Sequence, residues 1–174
     1  MATIDLPNNI LEALSTVLQQ LQQSLPEVKQ APDFSAIAFK WENGELKAIH
    51  QLKRIELNDL KGIERQKEKV LQNTEQFLNG LPANDVLLTG SRGTGKSSIV
   101  RALLTEYAEQ GLRLIEIERD DLSELPEIQK LIAERPEKFI VYCDDLAFNA
   151  EDENYRSLKS VLDGSLQSGS SNFI

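Results

Sequence analysis

A chain of 174 residues with 40% hydrophobic content is long enough to bury one core with some sequence to spare. Its 19 basic residues stand against 28 acidic ones, and the net charge of -9 argues against broad electrostatic binding to nucleic acid or to an anionic membrane. Met1 to Pro7 has neither the basic nor the apolar segment of a secretion signal, no apolar stretch is long enough to span a bilayer, and the single cysteine, Cys143, excludes an internal disulfide or a cysteine-built metal site. A cytoplasmic protein is expected, with Cys143 as a small buried hydrophobe.

Between Asn9 and Leu25 the residues Ile10, Leu14, Val17, Leu21 and Leu25 recur at helical spacing, glutamines fill the other face, and Pro26 stops the helix. Ile37, Phe39 and Trp41 then alternate, and Asn43-Gly44 supplies a two-residue turn into Glu45 to His50. That turn pairs Trp41 with Leu46, Phe39 with Ala48 and Ile37 with His50, and it leaves the lone histidine as a structural residue rather than a catalytic one. An Asn58-Asp59 cap opens a helix carrying Leu60, Ile63, Val70, Leu71, Phe77 and Leu78, closed by Gly80 and Pro82. Strand Val86-Leu87-Leu88 follows, then a glycine-rich loop, a helix to about Gln110 and a Gly111 cap. Strand Leu112 to Ile117, a short helix from about Pro126 to Glu134 and strand Phe139 to Cys143 complete the order. Strands alternating with helices predict an α/β fold with a parallel sheet. The acidic run Glu118 to Glu124 reads as a solvated loop with a helix cap.

Gly90-Ser91-Arg92-Gly93-Thr94-Gly95-Lys96-Ser97 matches G-x-x-x-x-G-K-S throughout. Glycines let successive N–H groups turn inward on phosphate oxygens, Lys96 reaches the β and γ phosphates, and the Ser97 hydroxyl ligates Mg²⁺. The helix that begins there, through Ser98, adds its positive dipole end. Arg92 and Ser91 occupy free positions of the loop and are counted with it. The strand Phe139 to Cys143 ends in Asp144-Asp145, at the edge where ligands of parallel sheets bind. Asp144 is then the residue that holds the magnesium, and Asp145 the one that orients or deprotonates the attacking water. Capping of the following helix is the plain alternative for the pair.

With both motifs present the chain resembles the AAA+ ATPases, which carry a Walker A loop, a Walker B strand and a preceding segment against the base. Asp59 to Gln66 is similar to that segment, which implies Leu60, Gly62 and Ile63 near the adenine. Gly62 to Lys67, Asn73 to Leu78, Gly93 to Ser98 and Cys143 to Leu146 resemble a bacterial family of AAA+ ATPases of undefined role, over Phe34 to the end. The resemblance implies an N-terminal helix and hairpin extension over residues 1–57, a nucleotide-binding core over residues 58–174, and the cofactors ATP and Mg²⁺.

Two departures stand out. Asp145 replaces the usual glutamate and is one methylene shorter, which favours slow hydrolysis. Ser171 to Ile174 reads as only the start of the strand that in AAA+ proteins joins the Walker A and Walker B strands, so the sequence is expected to be an amino-terminal fragment lacking sensor, arginine finger and lid. Hydrolysis is then expected of the full-length protein and nucleotide binding of this piece. The function expected is Mg-dependent ATP hydrolysis acting on a macromolecular partner, in a homo-oligomeric ring. The alternatives are a nucleotide-dependent switch or loader with little turnover, and a small-molecule kinase, against which the Asp59 to Gln66 segment argues. Which partner is acted on is not legible in the residues.

Overall fold

The computed structural model describes residues 10, 15–17, 31–146 and 172–174. The chain divides into two compact units, Met1–Ala31 and Pro32–Ile174. The helix expected between Asn9 and Leu25 lies outside the described residues except at Ile10 and residues 15–17, which are helical.

The second unit is built on a four-stranded sheet of β1 (Ala38–Glu42), β2 (Glu45–Ala48), β3 (Leu112–Ile117) and β4 (Lys138–Cys143), in the order β2-β1-β3-β4. Asn43 and Gly44 take φ of 55° and 73°, the left-handed pair that a two-residue hairpin turn demands. Trp41 faces Leu46 and Phe39 faces Ala48, as the turn predicts. The expected Ile37–His50 pair does not form. The Ile37 carbonyl instead accepts the Leu114 N–H at 3.0 Å, and His50 lies exposed beyond the ladder. β1 runs parallel to β3, with Phe39 opposite Ile115, so the hairpin assigned from sequence to an extension is hydrogen-bonded into the same sheet as the later strands. The reason is burial: Phe39 and Trp41 are almost fully covered, and only a sheet-wide apolar layer supplies that cover.

Alternation along the strands divides the core into two layers. Phe39, Trp41, Ile115, Ile117 and Phe139 face α3 (Leu125–Ile132) through Leu125, Ile128 and Ile132. Leu112, Leu114, Ile140 and Tyr142 face α1 (Glu64–Leu78) and α2 (Lys96–Tyr107) through Val70, Phe77, Ile99, Leu103 and Tyr107. The Tyr107 hydroxyl donates to Glu75 Oε1 at 2.8 Å and ties the two helices together.

Two expectations are corrected. The helix read from Asn58-Asp59 begins at Glu64, because Gly62 turns to φ 76° and residues Leu57–Asp59 form a separate 3-10 turn with its own capping box on Glu56. Val86-Leu87-Leu88 is irregular rather than a strand, and Leu87 is 74% exposed. A strand needs a neighbour to satisfy its N–H and C=O groups. The flank of β4 away from β3 is taken by residues 172–174: Phe139 N–H donates to the Asn172 carbonyl, Ile174 N–H to the Phe139 carbonyl, and Val141 N–H to the Ile174 carbonyl.

The start of β4 is closed by an ion pair beneath the aromatic layer. Arg135 lies 4.3 Å over the Phe34 ring and donates two hydrogen bonds to Glu137, of 3.0 and 2.6 Å. That guanidinium holds the Glu137 carboxyl below its ordinary value. A carboxyl lowered in the folded state adds stability above its unfolded value and loses it as pH falls through the folded one. Glu137→Gln should therefore lower the urea midpoint at neutral pH and leave little difference in strong acid; urea titrations at both ends check this, and an equal loss at each would refute it.

Candidate nucleotide site

The loop 90–95 is shaped by glycines where other residues are strained. Gly93 and Gly95 sit at φ 81° and 89°, and a side chain at Gly90 would start 3.2 Å from Thr94 Oγ1. The Thr94 hydroxyl donates to the Ser91 carbonyl at 2.8 Å and pins the turn. Lys96 Nζ donates to the carbonyls of Gly90 and Ser91, both at 3.0 Å, which places its ammonium across the loop. Gly95 is the N-cap of α2 and makes no side-chain cap, so among the described residues no side chain caps the donors of the first turn. Ser91 and Arg92 are exposed and Ser98 is half-buried.

Ser97, in that first turn, donates its hydroxyl to Asp144 Oδ2 at 2.7 Å across 47 residues of sequence. Asp144 follows β4, and its other oxygen accepts the Asp145 N–H at 3.0 Å. The Ser97 hydrogen bond holds the Asp144 carboxyl below its usual range, helped by Tyr142, the Asp145 amide and the Lys96 charge, while partial burial opposes them. Asp145 is exposed and sits at φ 51°, a left-handed conformation that aspartate tolerates better than most residues. On the opposite face of β4, burial pushes the half-buried Cys143 thiol up to about 11.

The segment read as the base-contacting stretch approaches the same loop. Ile63 precedes α1, and its Cδ1 lies 3.6 Å from the position a Gly95 side chain would start from. Gly62 donates its N–H to Glu64 Oε1 at 3.0 Å, and Leu60 packs against the layer of α1 and α2. Lys67 Nζ donates to the carbonyls of Leu57 and Leu60, at 3.0 and 3.3 Å, and so fastens the segment to α1.

Thus the fold brings together Gly90, Ser91 and Lys96, then Gly95 and Ile63, and finally Ser97 and Asp144. Sequence reasoning passed over Lys67 and Tyr142. Tyr142 stands two residues before Asp144 on a strand, which puts both on one face and was the available signal.

The family model that matches the chain is described as "Protein of unknown function (DUF815)", over residues 34–174. The chain belongs to this family. A shorter similarity links it to the replication factor C large subunit of Methanococcus maripaludis (strain C7), 36% identical over 52 residues. That stretch is 30% of this chain and 11% of the archaeal protein, so the match spans a small part of its relative. No solved structure matches. With the motifs, the two matches support a resemblance to AAA+ P-loop ATPases on an α/β fold. No helix among the described residues is long and apolar enough to cross a membrane.

The Lys67 clamp has a measurable consequence. The Leu60 N–H donates to the Leu57 carbonyl within the turn that Lys67 holds. Lys67→Met should speed hydrogen exchange at the Leu60 amide by roughly 5- to 10-fold, the equivalent of about one net hydrogen bond, with the centre of α1 unchanged. An unaltered Leu60 amide would show that the clamp carries no weight.

Proposed function

We propose that the loop Gly90 to Ser97, with Asp144 and Asp145, is the cis half of a magnesium-ATP site, serving an ATPase that acts on a macromolecular partner. The observation that carries this reading is the 2.7 Å contact between Ser97 and Asp144. A hydroxyl in the first turn after a glycine loop and a carboxylate at the end of a parallel strand are hard oxygen donors, suited to magnesium beside phosphate. Ser97 and Asp144 would hold the ion, which supplies charge neutralisation for the β and γ phosphates. In this reading the loop amides and the first turn of α2 bind phosphate, Lys96 leaves the Gly90 and Ser91 carbonyls to pair with it, and Leu60, Gly62 and Ile63 line the adenine. Asp145 orients the attacking water. A homo-oligomeric ring, in which a neighbour's arginine completes each site, and a cytoplasmic setting belong to the same proposal. The net charge of -9 favours a partner other than bare nucleic acid.

At about 100 times its Kd, Mg-ATP should stabilise the chain by about 2.7 kcal/mol and raise Tm by roughly 5 to 10 °C. Ser97→Ala should remove the magnesium-dependent part of that rise while leaving the rise seen with ATP in EDTA. Differential scanning fluorimetry with and without EDTA reads both, and a wild-type Tm indifferent to Mg-ATP would sink the proposal.

A second reading, a switch that binds ATP and turns it over little, is favoured by Asp145. Its side chain is one methylene shorter than glutamate, and its backbone is held in the left-handed region at φ 51°. If that geometry limits turnover, Asp145→Glu should raise kcat several-fold with KM little changed, measured by phosphate release. No gain, together with brisk wild-type turnover, would favour the motor over the switch.

A further inference from the structure

Tyr142 on β4 and Asp144 just past it share one face, and only Asp144 has a role so far. The Tyr142 hydroxyl oxygen is buried without a hydrogen-bond partner. Ser97, Asp144 and, at longer range, Glu116 are the polar side chains around it. In folding terms an unpartnered buried hydroxyl is a cost that phenylalanine would avoid, while the ring itself packs in the layer of α1 and α2. Packing therefore accounts for the ring and not for the oxygen.

The arrangement around Asp144 accounts for the oxygen. The carboxylate takes the Ser97 hydroxyl on Oδ2 and the Asp145 N–H on Oδ1, and a carboxylate accepts about four donors. We propose that Tyr142 is a positioning residue for Asp144: with magnesium-nucleotide bound, the phenol would donate to the carboxylate from inside the core and fix its orientation. Such a partner behind a ligand group sets its direction and tunes its charge. The inference rests on Ser97 and Asp144 being the magnesium-holding pair.

The test compares wild type, Tyr142→Phe and Asp144→Asn, using the non-hydrolysable analogue AMP-PNP in isothermal titration calorimetry with magnesium and with EDTA. The ratio of the two dissociation constants isolates the metal-linked part of binding. For Tyr142→Phe this ratio should fall about tenfold, while Tm without nucleotide stays equal or rises. A ratio unchanged in Tyr142→Phe but lost in Asp144→Asn overturns the role of Tyr142 and leaves the nucleotide site standing. A ratio that survives in Asp144→Asn overturns the magnesium pair, and this inference with it. A Tyr142→Phe protein with lowered Tm and unchanged ratio assigns the hydroxyl to folding alone, which also overturns the proposal.

Discussion

The alternation of side chains along β4 is the constraint from which the rest of the second unit follows. Phe139, Val141 and Cys143 must face the layer of α3, so Ile140, Tyr142 and the first residue past the strand face α1 and α2. A slip of one residue would turn Asp144 toward the layer of α3 and carry Phe139 across to the layer of α1 and α2. The apolar residues therefore hold the register, and the polar end of the strand inherits its direction from them. Asp144 meets Ser97 because α2 packs on that same face through Ile99 and Leu103.

Register in turn depends on pairing. β4 is matched to β3 over six consecutive residue pairs, from Leu112 with Lys138 to Ile117 with Cys143, and β3 is held on its other side by β1. The hairpin thus contributes to the candidate site from a distance: Phe39 and Trp41 complete the apolar layer that keeps β3 and β4 in place. The Trp41 indole N–H also reaches Glu124, at 2.6 Å, just ahead of α3, and so connects β1 to that helix as well as to the sheet.

Much of this was legible in the residues, where local chemistry and tertiary demand agree. The Asn43-Gly44 turn fixed the hairpin register, Gly111 ended the helix before β3, and the apolar runs marked β3 and β4, because each signal is local. The start of α1 was misplaced because Asn58-Asp59 resembles a helix cap, whereas Glu56 is the cap and Asp59 closes its capping box within a single 3-10 turn before Gly62. Val86 to Leu88 has the composition of a buried strand, yet strand formation is a property of a pair. Composition cannot reveal whether a neighbour is at hand. The glycine loop was legible because its motif encodes backbone geometry directly, whereas Tyr142 was hidden inside a run whose apolar character explained it too easily.

The same distinction bears on how far the candidate site is already formed. The hydrogen bonds described within the loop are short-range or anchored in α2: Thr94 to Ser91, Lys96 to Gly90 and Ser91, Ile99 N–H to the Gly95 carbonyl. The loop thus keeps its curvature although the apolar residues before it form no strand. What the missing pairing removes is the support beneath Gly90, not the cradle. Phosphate binding needs the cradle, since it is made by N–H groups of the loop and of the first helical turn. Aligning the γ phosphate with Asp145 needs more, because the loop and the end of β4 must then hold a fixed separation. Ser97 and Asp144 are the one hydrogen-bonded link described between them, so in the proposed site that link would supply both the metal ligands and the spacing.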